Sequence, residues 1–292
     1  MGGGSDNRRA VLIAAGVAAC ILIAGCGGSA HVDRADSVIA RAADVSVATG
    51  LSMDVSLNET VGGPSVVFSA RGSFSAKLNR GSMMMYMQVP SAGGPATPMP
   101  IVIANGTIYE RLPTQLASRI PGGRPWLSLR ISQLDALNRL PGLFPFIRES
   151  LRFADPTQYL DFLGAAAPGS TARVGTATVN GASTTEYRAA IKLEKLPRST
   201  TSNDRQAVQQ IASLLTGRFH TSTMPVHVWI DRADRIRRLR ATLDGSFAGH
   251  NLSIALTANI TGHGSPPIST PPSAAETTNL LSLVQGLQSN AG

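Results

Sequence analysis

The sequence predicts an α+β fold: a curved antiparallel sheet, a half-barrel, with helices packed in its concavity. Three observations carry that expectation. Apolar side chains alternate with period two over most of residues 51–111 and 171–260, which marks strands with one buried and one wet face. Asn105-Gly106 and Asn180-Gly181 each join two alternating segments, and Asn-Gly is a strong type I′ hairpin signal. Between Pro113 and Pro168 the spacing becomes helical and is broken by prolines; helices that short need a sheet to lie against. A sheet of eight or nine strands tends to curl, so the helices belong on its hollow side.

The first 25 residues read as an export signal. Arg8-Arg9 precede an apolar run, Ala10–Ala24, which ends in Ile23-Ala24-Gly25-Cys26. A basic start, an apolar stretch and a small-residue cleavage site form such a signal. At about fifteen residues the run is short of the roughly 20 needed to span a bilayer. Ending on cysteine, the pattern looks like a bacterial lipobox, in which Cys26 is diacylated and becomes the new N-terminus. Val17-Ala18-Ala19-Cys20 is a second match, but it leaves only about seven apolar residues after Arg9 and puts Ile21-Leu22-Ile23 just beyond the lipid. Cys26 is therefore the expected lipidation site. Cleavage there removes Cys20 and leaves no disulfide within the chain, so the core alone must hold the fold. Residues 26–32 form a flexible leader.

The body of the fold is expected over residues 33–261. It opens with a short helix at 33–45, Asp33 as N-cap and Val38, Ala42 and Val45 on one face. The first strand, Leu51–Leu57, is apolar at every odd position. In the next, Val66, Phe68, Ala70, Phe74, Ala76 and Leu78 share a side. In the third, Met83, Met85, Met87 and Val89 face one way while Met84, Tyr86 and Gln88 face the other. Ile101–Ala104 and Thr107–Arg111 form a hairpin. Leu134, Leu137, Leu140, Phe144 and Ile147 then recur at helical spacing, and Asp155-Pro156 opens a helix carrying Tyr159, Leu160, Phe162 and Leu163. Strands return at Thr171–Val179 and Ala182–Leu193. A helix over Asn203–Thr216 stops at Gly217, and three strands follow around Met224–Ile230, Leu239–Leu243 and Leu252–Ile260. Residues 262–292 are read as a Pro/Ser-rich tail, flexible over 262–273, with a last weak helix over Ala274–Leu287.

Composition limits the function. With 43% hydrophobic residues the chain supports a real core. Its net charge of +8 falls to +7 once residues 1–25 are removed. On an exported protein that charge suits anionic lipid headgroups or wall polymer rather than nucleic acid. The one basic cluster, Arg235–Arg240, falls inside a strand pattern and reads as a solvated sheet face. No active site is visible. None of the five histidines sits in a HExxH motif, no Cys/His spacing suggests zinc, and there is neither a GxSxG elbow nor a P-loop lysine. No catalytic residue, metal ligand or cofactor is expected. The methionine strand is suggestive, because Met83-Met84-Met85-Tyr86-Met87 puts large flexible side chains on both faces. Such a strand is either fully buried or lines an apolar cavity, since methionine adapts to irregular ligands.

The lipobox, short helix, strand meander and two passages, Gly181–Ile191 and Pro225-Val-His-Val-Trp229-Ile-Asp231 with Arg235–Leu243, together resemble actinobacterial envelope lipoproteins of the LppX/LprG type. Those are related in fold to the LolA lipoprotein carriers. The resemblance spans roughly residues 33–260. It implies a half-barrel whose helices cover a hydrophobic cavity, and a protein that binds acylated lipid or glycolipid and carries it across the envelope without covalent catalysis. On that basis Met83, Met85, Met87, Leu137, Leu140, Phe144, Ile147, Tyr159 and Phe162 are the expected lipid-cavity residues. The expected partners are a membrane, reached through the diacylglyceryl Cys26 on its extracytoplasmic face, and the lipid ligand; the chain is expected to be a monomer. The other reading is a structural or sensory lipoprotein that binds a protein partner and has a filled core without lipid cargo.

Overall fold

The computed structural model describes residues 29–62, 65–88, 96–120, 122–130, 162–196, 219–247 and 250–289, together with residues 133, 160, 209, 212, 213, 216 and 217. Cys26, Leu137, Leu140, Phe144, Ile147 and Tyr159 lie outside them.

Among the described residues the fold is one large, open, curled sheet of twelve strands with few helices. Helix α1 (Ser29–Ala48) comes first, longer than the 33–45 expected, so Asp33 lies within it rather than capping it. Strands β1 (Leu51–Val61), β2 (Ser65–Ser75), β3 (Arg80–Gln88), β4 (Thr97–Ala104), β5 (Thr107–Arg111) and β6 (Trp126–Arg130) follow, with a single helical turn, α2 (Thr114–Ala117), before β6. After the middle of the chain come β7 (Ala172–Val179), β8 (Ala182–Lys192), β9 (Thr223–Asp231), β10 (Ile236–Phe247) and β11 (His250–His263). Strand β12 (Thr277–Asn279) and helix α3 (Leu280–Ser289) end it.

The order in the sheet is β12-β6-β5-β4-β3-β2-β1-β11-β10-β9-β8-β7. Two meanders, β1–β6 and β7–β11, are thus joined through the antiparallel pair β1–β11, which runs from Leu51↔His263 to Val61↔Leu252. Among the described strands only β12 is parallel to its neighbour. The Asn-Gly turns behave as the sequence predicts: Asn105 and Gly106 have φ 51 and 70, Asn180 and Gly181 φ 49 and 77, the paired positive φ that a type I′ turn requires.

Other expectations need correction. Among the described residues the strands number twelve, not eight or nine. Strand β4 begins at Thr97 and contains Pro98 and Pro100. Proline is tolerated because β5 pairs only with Ile101–Ala104; among the described residues Thr97–Pro100 pairs with β3 alone, leaving an edge where no N–H is needed. Near 209–219 every described residue is helical, Gly217 included. The His220 N–H still donates to the Thr216 carbonyl at 2.9 Å, and the left-handed residue is His220 itself, φ 49. Composition marks residues 262–273 as a flexible tail, yet the chain there is tied: Gly264 N–H donates to Gly50 O at 3.1 Å and Ser269 N–H to Ser82 Oγ at 3.2 Å. Ser273 and Glu276 form a capping box, and the last helix starts at Leu280, where Leu280, Leu283 and Val284 are buried.

Helix α1 packs through Ile39, Ala42, Ala43 and Ser46, all buried and spaced as one helical stripe. Ser46 is the polar member. Its Oγ donates to Ala42 O at 2.7 Å and accepts from the Ile236 N–H at 2.9 Å, satisfying the backbone where β10 begins. We expect Ser46→Ala to leave that buried N–H without a partner and to cost about 1–3 kcal/mol in equilibrium urea denaturation; an unchanged midpoint would show that the backbone finds another acceptor.

Candidate ligand-binding face

Alternation places one set of side chains from every long strand on the same side of the sheet, the side that α1 covers. Among the described residues three buried clusters form; the smallest is Phe219 with Leu243 of β10 and Leu252 of β11, and the other two flank the centre of the face. The first joins α1 to β1, β2 and β8–β11, with Leu51, Met53, Leu57, Ile191, Val228, Leu239 and Ile260 among its members, and takes in Leu160, Phe162 and Leu163. The second joins Met85 of β3 to Met99, Ile101 and Ile103 of β4, Ile108 of β5 and Leu127 and Leu129 of β6, covered by Leu280, Leu283 and Val284 of α3.

Between them the face is continuous but less covered. Val55 pairs with Ala70, and Ala70 with Met85; Leu57 pairs with Phe68. Val55, Phe68, Ala70 and Met83 are only half-buried: Val55 and Phe68 lean on the first cluster, Ala70 and Met83 on the second. Gly72 makes room here, since a Cβ at that position would collide with the Cβ of Met83. This glycine is read as a close-approach site rather than a turn.

The expected cavity residues fall as follows. Met83 and Met85 share the inner face, as their spacing predicts, but Met85 is 2% exposed and packed from all sides, whereas Met83 is half-buried. Met87 occupies the inward register opposite Phe68. Phe162 is buried in the first cluster, apart from Met85 in the second. Sequence reasoning missed Glu110, an inward position of β5 opposite Ile101 and Leu127. It is 2% exposed and is not left unpaired; a carboxylate at an otherwise apolar register was the available signal.

One group of charged side chains gathers where β9 ends and β10 begins. Asp231, at the end of β9, accepts from the Ala233 N–H (2.9 Å), the Arg235 N–H (3.1 Å), Arg235 Nε (3.1 Å) and Arg237 Nε (2.8 Å). Burial raises the carboxyl pKa, but the backbone bond from Arg235, then Arg237, the Arg235 side chain and Ala233 outweigh it and hold it at about 2. His263, at the end of β11, bonds Ile236 O through Nε2 at 3.1 Å. Burial first, and the charge of Arg237 second, push its pKa below the ordinary value. Among the described residues no group of three or more His, Cys, Asp or Glu is placed to hold a metal ion, and no helix is long and apolar enough to cross a membrane.

No family model and no curated protein sequence matches the chain. Solved structures similar to it include LprF from Mycobacterium bovis, at 16% identity and a TM-score of 0.41, with 82% of this chain and 98% of that one covered. The Mycobacterium tuberculosis lipoprotein LppX is similar at 16% identity and a TM-score of 0.40, covering 81% and 99%. MucB in its complex with MucA from Pseudomonas aeruginosa gives 12% and 0.34, covering 83% and 62%.

Both titrating groups give pH dependences of the same sign. Asp231, depressed in the folded state, contributes stability that is complete above about pH 4 and lost as pH falls toward 2. His263, depressed below its unfolded value, binds its proton more readily in the unfolded chain, so stability falls as pH drops through the region near 6.5. Denaturation midpoints at pH 7.5 and 5.5 are expected to differ more in the wild type than in His263→Gln; equal differences would remove His263 from the account.

Proposed function

We propose that this chain is an extracytoplasmic lipoprotein, anchored through a diacylated Cys26, that binds an acylated lipid or glycolipid on the inner face of its curled sheet and carries it within the envelope. The observation that carries the reading is the half-buried apolar strip Val55–Phe68–Ala70–Met83 between two sealed clusters. Acyl chains are the natural occupant of such a strip, at about 0.8 kcal/mol for each methylene removed from water. In this reading helices and the middle of the chain, including Leu137, Leu140, Phe144, Ile147 and Tyr159, cover the strip from the concave side. Met83 and Met87 then border the acyl chain, with Met85 and Phe162 supporting it from the two clusters. Binding and release need no nucleophile and no metal, so the protein acts without covalent catalysis, as a monomer.

Native mass spectrometry with lipid extraction tests this. Protein purified from its own membrane is expected to carry an acylated lipid in addition to its anchor. Val55→Asp and Ala70→Glu, at half-buried positions, are expected to fold and to lose that lipid, roughly tenfold or more in occupancy. Met85 is unsuited to the test, because a charge in a sealed core unfolds the protein. Folded variants that load lipid normally would contradict the strip as the site, and wild-type protein that is always empty would favour a partner-binding lipoprotein. For the anchor, Cys26→Ser is expected to abolish palmitate labelling; labelling that survives there and disappears in Cys20→Ser would move the site.

A further inference from the structure

Alternation gives the sheet a second face, opposite the side that α1 covers. A groove of about 500 Å³ lies over β11, β1, β2 and β3, lined by the polar residues Asp54, Ser56, Ser69, Arg71, Tyr86 and Asn259 and by the apolar Val55, Ala70 and Met84. That volume is in the ~300–1,000 Å³ range of small-ligand sites. The polar positions alternate with Val55 and Ala70, which border the groove at the plane of the sheet while alternation turns their side chains toward the inner strip. Its rows are set by register: Asn259 pairs with Asp54 and Asp54 with Arg71, while Ser56 pairs with Ser69 and Ser69 with Tyr86. The next row, Ser52, Ser73 and Ser82, bounds one end. Ser52 and Ser73 share a hydroxyl bond at 3.0 Å, and Ser82 holds the crossing segment through Ser269.

The groove combines a neutralised ion pair and free hydroxyls with an apolar part, the Tyr86 ring and Met84, which pairs with Arg71. Asp54 and Arg71 form a bidentate pair, Nε–Oδ1 2.7 Å and Nη2–Oδ2 3.2 Å, so their charges cancel. Asn259 Oδ1 is taken by Arg238 Nε at 2.7 Å, which turns its Nδ2 donor free. Among the described residues the hydroxyls of Ser56, Ser69 and Tyr86 have no hydrogen-bond partner. Tyr86 is 37% exposed, and its ring offers a flat apolar surface beside these donors and acceptors. Arg238 is itself seated, 5.6 Å above the Trp229 ring, with His227 stacked on Trp229 at 6.0 Å and bonded to Glu186 at 2.7 Å. The wall that orients Asn259 is thus rigidly supported.

We propose that this outer groove binds an uncharged saccharide. A sugar ring carries hydroxyls that donate and accept on its rim and C–H groups on its faces, matching the free hydroxyls, the amide and the Tyr86 ring. An acyl chain would strand the polar floor, and an anion gains little from an arginine already neutralised by a carboxylate. The inference goes beyond lipid binding and concerns the opposite face, so either can fail alone.

The test is titration calorimetry of the purified full-length protein with soluble, unacylated tri- to hexasaccharides of glucose, mannose and N-acetylglucosamine. Saturable binding to at least one is expected. Tyr86→Ala is expected to weaken it about tenfold, Tyr86→Phe much less, and Ser56→Leu, which fills the groove from an exposed position, is expected to abolish it. Each variant's thermal midpoint reports whether it folds, and the two sites serve as independent checks. The proposal is overturned if none of these sugars binds, if binding survives unchanged in folded Tyr86→Ala or Ser56→Leu, or if an acidic polysaccharide binds better with a steep salt dependence.

Discussion

The rest of this structure depends on the pairing of β1 with β11. Strands β1–β6 and β7–β11 are each a plain meander, and only this seam makes them one sheet. The register couples Leu51 to His263 and Val61 to Leu252, residues that are far apart in sequence. A contact of that separation forms slowly and against a large loop-closure entropy. It is held by what surrounds it: Leu51, Met53, Leu57, Ala258 and Ile260 are all buried in the first cluster, and α1 enters the same cluster from the N-terminal side. Gly50 and Gly264 close the end of the seam through one backbone bond. Gly50 has φ 72 and no space for a Cβ, which would meet the Gly264 carbonyl.

The seam also decides what the two faces can do. By setting β11, β1, β2 and β3 side by side it aligns Val55, Ala70 and Met85 on one surface and Asn259, Asp54 and Arg71 on the other. The inner surface then carries a sealed cluster on each flank, one under α1 and one under α3, with the half-buried strip between. The same four strands therefore present an apolar side and a hydroxylated side, and a shift of register by one residue would exchange them.

Much of this was legible in the sequence, for identifiable reasons. Period-two alternation found the long strands because one side of each is buried, and Asn-Gly found two hairpins because few other pairs accept positive φ twice. Strand β6 was missed because Trp126–Arg130 is five residues embedded in a Pro/Gly-rich stretch, and β12 because three residues show no period. The proline content of β4 disguised its first half, since an open edge cannot be read from one strand alone. Helix α3 was legible only as a weak helix over Ala274–Leu287, because its docking on the second cluster depends on the crossing of residues 264–276, whose composition reads as a tail. At the candidate site, the methionine alternation placed Met83 and Met85 on one face correctly. It could not distinguish a packed residue from a half-buried one, because that depends on α3 arriving from the other end of the chain. The outer groove left no sequence signature, because Asp54, Ser69, Tyr86 and Asn259 meet only through register.

The central claim is that the strip between the two clusters holds an acyl chain. A crystal structure of protein purified from its native membrane, without delipidation, tests it most directly. The account predicts elongated density along Val55, Phe68, Ala70 and Met83, with the two flanking clusters packed as described. Density for the protein's own side chains filling that strip, with no ligand between them, would contradict it.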